Sequence, residues 1–181
     1  MKDTEVLVLN GSPGSGKSTL ANAIAEQLRQ MDMAHAVVDV DELGRIYPEL
    51  GNSLSWDNLR AIWPNYAAIP NLKVIVPVCI DSTQDLEALR NATPCKEFTI
   101  CELVADPVTL RERVTKREPN EYWRSKLRSL VDRHISKMSA EQFGDFRVRT
   151  DDKSIGDAAQ NILERLGWKA ARSKPLIPGN L

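Results

Sequence analysis

Gly11-Ser12-Pro13-Gly14-Ser15-Gly16-Lys17-Ser18 spaces two glycines, a lysine and a hydroxyl as G-x-x-x-x-G-K-[ST]. That spacing can hold a polyphosphate. The glycines let backbone N–H groups converge on phosphate oxygens that side chains would block. Thr19 and the residues after it open a helix, whose N-terminus adds the positive end of its dipole. Lys17 supplies a point charge for the β- and γ-phosphates, and the Ser18 hydroxyl is a ligand for the Mg²⁺ that bridges them. The chemistry read from this stretch, Gly11 to Thr19, is binding of ATP with magnesium.

A second constellation is Asp39-Val40-Asp41. The spacing predicts a strand over Ala36–Val40, with both carboxylates on one side of it. A carboxylate at the C-terminal end of a strand beside the loop points into the ligand crevice. Phosphoryl transfer to an alcohol needs a group that orients the hydroxyl and takes its proton. Asp41 is the candidate for that work and Asp39 for the magnesium side. The alternative is that one of them only caps the helix starting near Glu42. Asp81 ends the third strand run, where it either orients a magnesium-bound water or, the favoured reading, caps the next helix in competition with Ser82 and Thr83. Asp41-Glu42-Leu43-Gly44 also reads D-x-x-G, but it follows the loop too soon to be a switch segment, and no N-K-x-D is present.

Basic charge gathers in one place. Arg111 to Lys137 holds nine Lys/Arg against four Asp/Glu, a local net of +5 that leaves −6 for the rest of a chain whose total is −1. Such a stretch in an acidic chain suits a small anion, or else a solvated helix face. The total charge argues against a general nucleic-acid binder.

Short apolar runs alternate with helical patterns along the chain, the mark of a parallel α/β sheet. Strands are expected at Val6–Leu9, Ala36–Val40, Lys73–Ile80, Glu97–Val104 and Phe146–Arg149. Helices are expected at Lys17–Gln30, Trp56–Ala68, Gln84–Arg90, Pro107–Arg117, Asn120–Met138 and Ser154–Leu166. Pro77 predicts a bulge or strand end, and Pro64 predicts a kink or two short helices. Trp56, Trp63 and Tyr66 share a helical face, either as core (the favoured reading) or as the wall of a pocket for a ring-bearing acceptor. One domain over residues 1–170 is expected, with a poorly ordered tail at 171–181.

The chain has 181 residues, 42% hydrophobic and 27% charged, an ordinary globular composition. No apolar run reaches the roughly 18 residues of a membrane span. The N-terminus is too acidic for a signal peptide, so a cytoplasmic protein without a membrane partner is expected, monomeric or homodimeric. Cys79, Cys95 and Cys101 form no C-x-x-C and the two histidines are distant in sequence. No zinc pattern is legible, and all three cysteines read as small core residues.

The loop, the D-x-D pair and Arg113-Val114-Thr115-Lys116-Arg117 together resemble the small P-loop kinases: adenylate, shikimate and gluconate kinase and chloramphenicol phosphotransferase. The resemblance runs over roughly Glu5 to Leu166. It implies an α/β three-layer sandwich with a five-stranded parallel sheet and a short helical lid at about 117–125. It implies an ATP- and Mg²⁺-dependent transfer to a hydroxyl of a small molecule. In shikimate kinase the first carboxylate of the D-x-D helps hold Mg²⁺ and the second holds the acceptor. In chloramphenicol phosphotransferase an aspartate in the place of Asp41 is the base. In adenylate kinase the first arginine of R-x-x-x-R packs on the adenine and the second reaches the phosphates, which points to Arg113 and Arg117, with Arg124 and Arg128 beyond the lid. Two other readings stay open: a nucleoside monophosphate kinase, although Arg60 is the one arginine in the acceptor segment, and a nucleotide-binding regulatory protein without useful turnover. A resistance protein that binds or modifies an antibiotic is a third.

Overall fold

The structure is a computed structural model that describes residues 3–48, 53–140 and 143–169; side chains are described except at 138–140. The tail expected at 171–181 lies outside the described residues. The elements run β1 (Glu5–Asn10), α1 (Lys17–Gln30), β2 (His35–Val37), α2 (Val40–Leu43), α3 (Ser53–Ala67), β3 (Lys73–Val78), α4 (Thr83–Ala92), β4 (Glu97–Val104), α5 (Pro107–Arg117), α6 (Glu121–Ala140), β5 (Phe146–Arg149) and α7 (Ile155–Leu166).

Five strands form one parallel sheet in the order β2-β3-β1-β4-β5. β1 is central and its side chains alternate between two cores. Val6 and Val8 face α3 and α4, where Leu59, Trp63 and Leu89 pack. Leu7 and Leu9 face α1 and α7, where Leu20, Ile24, Ile162 and Leu163 pack. A strand buried on both faces has no polar side to show, which explains the unbroken Val-Leu-Val-Leu run. A third, small cluster of Leu110, Val114 and Val131 holds α5 to α6.

Three expectations need correction. The second strand stops at Val37 because Asp39 accepts a hydrogen bond from Asp41 N (3.1 Å) and starts α2 at Val40, the short helix that the capping alternative placed near Glu42. Asp39 and Asp41 therefore do not alternate along a strand. Pro77 stays inside β3, paired with Leu9, without a bulge. Lys73 N and Ile75 O bond towards β2, so residue 77 also faces that side, but β2 has ended there and no ladder bond is lost. Pro64 does not split α3, which runs unbroken from Ser53 to Ala67. Trp56, Leu59 and Trp63 are buried along one face of it, and that burial outweighs the lost backbone bond.

Candidate active site

β1 leads into the glycine loop at its C-terminal end, and its neighbours β3 and β4 carry the chain to opposite sides. That crevice is the topological switch point of the sheet. Gly14 and Gly16 adopt φ of +82° and +94°, which L side chains rarely take. A Cβ on Gly14 would also meet Leu110 O at 2.8 Å. Lys17 Nζ donates to Gly11 O (2.8 Å) and Ser12 O (3.3 Å), folding the lysine over its own loop. Ser12 and Ser15 are buried under the loop and shape it from below.

Ser18 Oγ donates to Asp39 Oδ2 at 3.1 Å, so the two magnesium candidates lie side by side. Both offer oxygen, the donor type Mg²⁺ takes. Asp39 is at once the cap of α2 and the partner of Ser18. The capping and the functional readings of this residue are therefore compatible.

A cleft of about 350 Å³ opens above the loop, with Lys17, Ser18, Thr19, Asp41, Cys79, Asp81, Arg117 and Arg133 on its walls. Asp41 stands on the first turn of α2. The protein around it desolvates its carboxyl and Asp39 and Glu42 repel its charge, which together outweigh Lys17 and hold it above the usual carboxylate range. Water still reaches the side chain through the open cleft and works against the rise.

Asp81 does not cap α4. Ser82 does, accepting from Asp85 N at 3.2 Å. Asp81 instead turns to the cleft and meets α6: Arg133 Nη2 donates to its Oδ2, His134 Nδ1 lies 3.2 Å from its Oδ1, and Lys137 Nζ donates to its backbone carbonyl at 2.7 Å. Burial pushes this carboxyl up, but the hydrogen bonds from His134 and Arg133 outweigh it and leave it below the usual range. Burial holds the His134 imidazole below its usual range against the pull of Asp81. Burial likewise pushes the Cys79 thiol up to about 12. Cys79 is thus not the core residue the sequence suggested, because it lines the cleft, whereas Cys101 is buried as expected.

The arginines divide. Arg117 lines the cleft. Arg113 sits behind the loop, donating to Gly14 O (3.3 Å), Thr150 Oγ1 (3.1 Å) and Thr150 O (2.7 Å). Arg124 binds the carbonyls of Glu118 and Pro119 and the carboxylate of Glu121 at the tight corner between α5 and α6, and Arg128 binds Thr115 Oγ1. These two hold the hairpin and do not reach the cleft. Arg133 does, and sequence reading missed it. Its signal was the phase of α6: Leu127, Leu130 and Arg133 recur every three residues and all three face the cleft. The aromatic stripe is core, with Trp56 8% and Trp63 2% exposed and Trp63 Nε1 bonded to Pro94 O (3.1 Å).

The adenylylsulphate kinase family matches residues 3–62, a span that carries β1, the loop, α1, β2, α2 and the start of α3. No curated protein matches the sequence. Solved structures match across the described fold. The adenylylsulphate kinase of Mycobacterium tuberculosis, solved with AMPPNP and APS, is 18% identical with a TM-score of 0.63, covering 91% of this chain and 98% of that one. Shikimate kinase of Acinetobacter baumannii, solved with shikimate, is 18% identical with a TM-score of 0.58, covering 92% and 95%. The tunicamycin resistance protein of Deinococcus radiodurans is 19% identical with a TM-score of 0.65, covering 91% and 96%. The fold is the one shared with these solved structures, two of them kinases, and it is the fold the sequence resemblance implied. The five-stranded parallel α/β sheet expected of that class is the one observed.

Proposed function

We propose that this protein is an ATP- and Mg²⁺-dependent phosphotransferase that acts on a hydroxyl of a small molecule. The observation that carries the reading is one cleft in which Lys17, Ser18, Asp41 and Arg117 converge over a phosphate-type loop. In this reading the loop amides of residues 11–16 and Lys17 bind the β- and γ-phosphates, and Arg113 supports the loop through Gly14 O and edges the nucleotide side. Ser18 and Asp39 would hold Mg²⁺, which when bound neutralises charge on the β- and γ-phosphate oxygens. Asp41 orients the acceptor hydroxyl. As the oxygen bonds to the γ-phosphorus and the bond to ADP breaks, Asp41 takes the hydroxyl proton. Arg117 offsets the charge spread over the transferred group. The α5–α6 corner at about 117–125 serves as the lid that excludes water.

Arg60 is drawn to Asp57 (2.7 Å) and edges a groove beneath Trp63, away from the cleft. Among the described residues no arginine of α3 lines the cleft, which speaks against a nucleoside monophosphate as acceptor.

The test is transfer of labelled γ-phosphate from Mg-ATP into a pool of small metabolites, hydroxyl-bearing antibiotics and mononucleotides. Wild type should yield a labelled product. Lys17→Ala should abolish it, and Asp41→Asn should lower kcat by about 10²–10⁴-fold with ATP affinity retained. Transfer at wild-type rate in Asp41→Asn would remove Asp41 from the base role. ATP binding without any product would favour the regulatory reading.

A further inference from the structure

Cys79 and Asp81 stand two residues apart just beyond the end of β3, so an extended backbone presents both side chains to the same side. His134 comes to them from the middle of α6, more than fifty residues later in the chain. Three different donor atoms meet. Cys79 Sγ is 3.4 Å from His134 Nδ1 and 3.7 Å from Asp81 Oδ1, and His134 Nδ1 is 3.2 Å from Asp81 Oδ1.

These three edges have the dimensions of one face of a tetrahedron. With Zn–S of about 2.3 Å, Zn–N of about 2.0–2.1 Å and Zn–O of about 2.0–2.2 Å, tetrahedral angles give ligand–ligand separations of about 3.3–3.7 Å, the longest between sulfur and oxygen and the shortest between nitrogen and oxygen. Among the described residues this is the one group of three or more such donors whose ligand atoms all approach one another this closely. We propose that Cys79, Asp81 and His134 form a three-ligand site for a borderline-soft divalent cation of the zinc type, with its fourth position open to the cleft.

The surroundings suit such a site. Arg133 holds the outer oxygen of Asp81 and Lys137 holds its backbone carbonyl, so Oδ1 is already turned to the other two donors. His134 is 2% exposed, and Nδ1 makes all of the ring's described polar contacts, so Nδ1 is the nitrogen presented to the other two donors. The ion bonds to sulfur as the thiol proton leaves to solvent, and thiolate plus carboxylate then balance a charge of +2. Cys79 and Asp81 line the cleft while His134 is buried behind them, so the open corner faces the cleft. A water or an anionic oxygen of a cleft ligand would complete the tetrahedron, the pattern of a reactive rather than a closed structural site. The donor set also separates this position from the magnesium position, because sulfur and imidazole nitrogen are not ligands Mg²⁺ selects, whereas Ser18 and Asp39 offer only oxygen.

The test needs no phosphotransfer, so it stands or falls apart from the proposed reaction. Full-length protein, stripped with a chelator and held in excess Mg²⁺, is titrated with Co²⁺. One equivalent should bring up a sulfur-to-cobalt charge-transfer band and the intense visible bands of four-coordinate cobalt, and Zn²⁺ should bleach both. Cys79→Ser should lose the charge-transfer band, and His134→Gln should weaken Co²⁺ binding by more than about 100-fold. Circular dichroism checks that each variant is folded, and Cys79→Ala replaces Cys79→Ser if the latter is not. A weak six-coordinate spectrum, or a charge-transfer band that persists without Cys79, would overturn the site.

Discussion

Gly14 carries two demands at once, a φ of +82° and a backbone oxygen, Leu110 O, 2.8 Å from where a Cβ would stand. Gly14→Ala should therefore cost about 1–2 kcal/mol in conformation alone and displace α5 from the loop. The expected outcome is at least a tenfold loss of ATP affinity by calorimetry, with the sheet intact by circular dichroism. Glu5 gives a prediction in pH. Burial raises its carboxyl, but hydrogen bonds from Lys73 and Trp168 outweigh that and leave it below its ordinary value. A carboxyl held low in the folded state stabilises the protein above its unfolded pKa, and that contribution is lost as pH falls through the folded value. Glu5→Gln should cost about 1 kcal/mol at pH 7 and flatten the acid limb of stability against pH, read by urea unfolding at several pH values. At this scale the place of the glycine loop, between β1 and α1, was legible in the sequence, because its signal is local. Arg133 and His134 were not. Their partner Asp81 lies some fifty residues earlier, and only the packing of α6 against the end of β3 brings them together.

Among the elements, α3 makes the clearest trial. Pro64 removes one helix bond on an exposed turn, while the opposite face buries Trp56, Leu59 and Trp63. Pro64→Ala should restore that bond and raise stability by about 1–3 kcal/mol, with part of the gain offset by the freer unfolded chain. Denaturant unfolding reads it, and an unchanged or lowered midpoint would mean the helix already relieves the proline. The bounds of α1, α5, β4 and β5 coincide with those expected from the sequence. Three of these have strong local signals: a glycine loop before α1, Asp106 and Pro107 opening α5, and apolar runs in β4. The end of β2 was misplaced because Asp39 had to be weighed as cap or strand residue and pattern alone gave the strand, whereas the capping alternative, with a helix near Glu42, is the one observed.

For the molecule as a whole, burial is unequal. β1 lies between two large cores, while among the described residues α5 and α6 share only Leu110, Val114 and Val131 as buried apolar contacts. Opening should be cheapest there. Native-state hydrogen exchange should show α5 and α6 amides exchanging at least tenfold faster than those of β1, and binding of Mg-ATP should slow the α5–α6 amides more than those of α7. Equal protection across the molecule would contradict a separately opening hairpin. The sheet's outer strands carry a different consequence. β2 is three residues long, and β5 is four, with Arg147 and Arg149 turned outward. A foreign strand would find three residues to zip against on one border and four on the other, where Arg147 and Arg149 are already ion-paired to Glu102 and Asp151. The order β2-β3-β1-β4-β5, which places the longest apolar strands inside, thus also guards the protein against edge-to-edge aggregation.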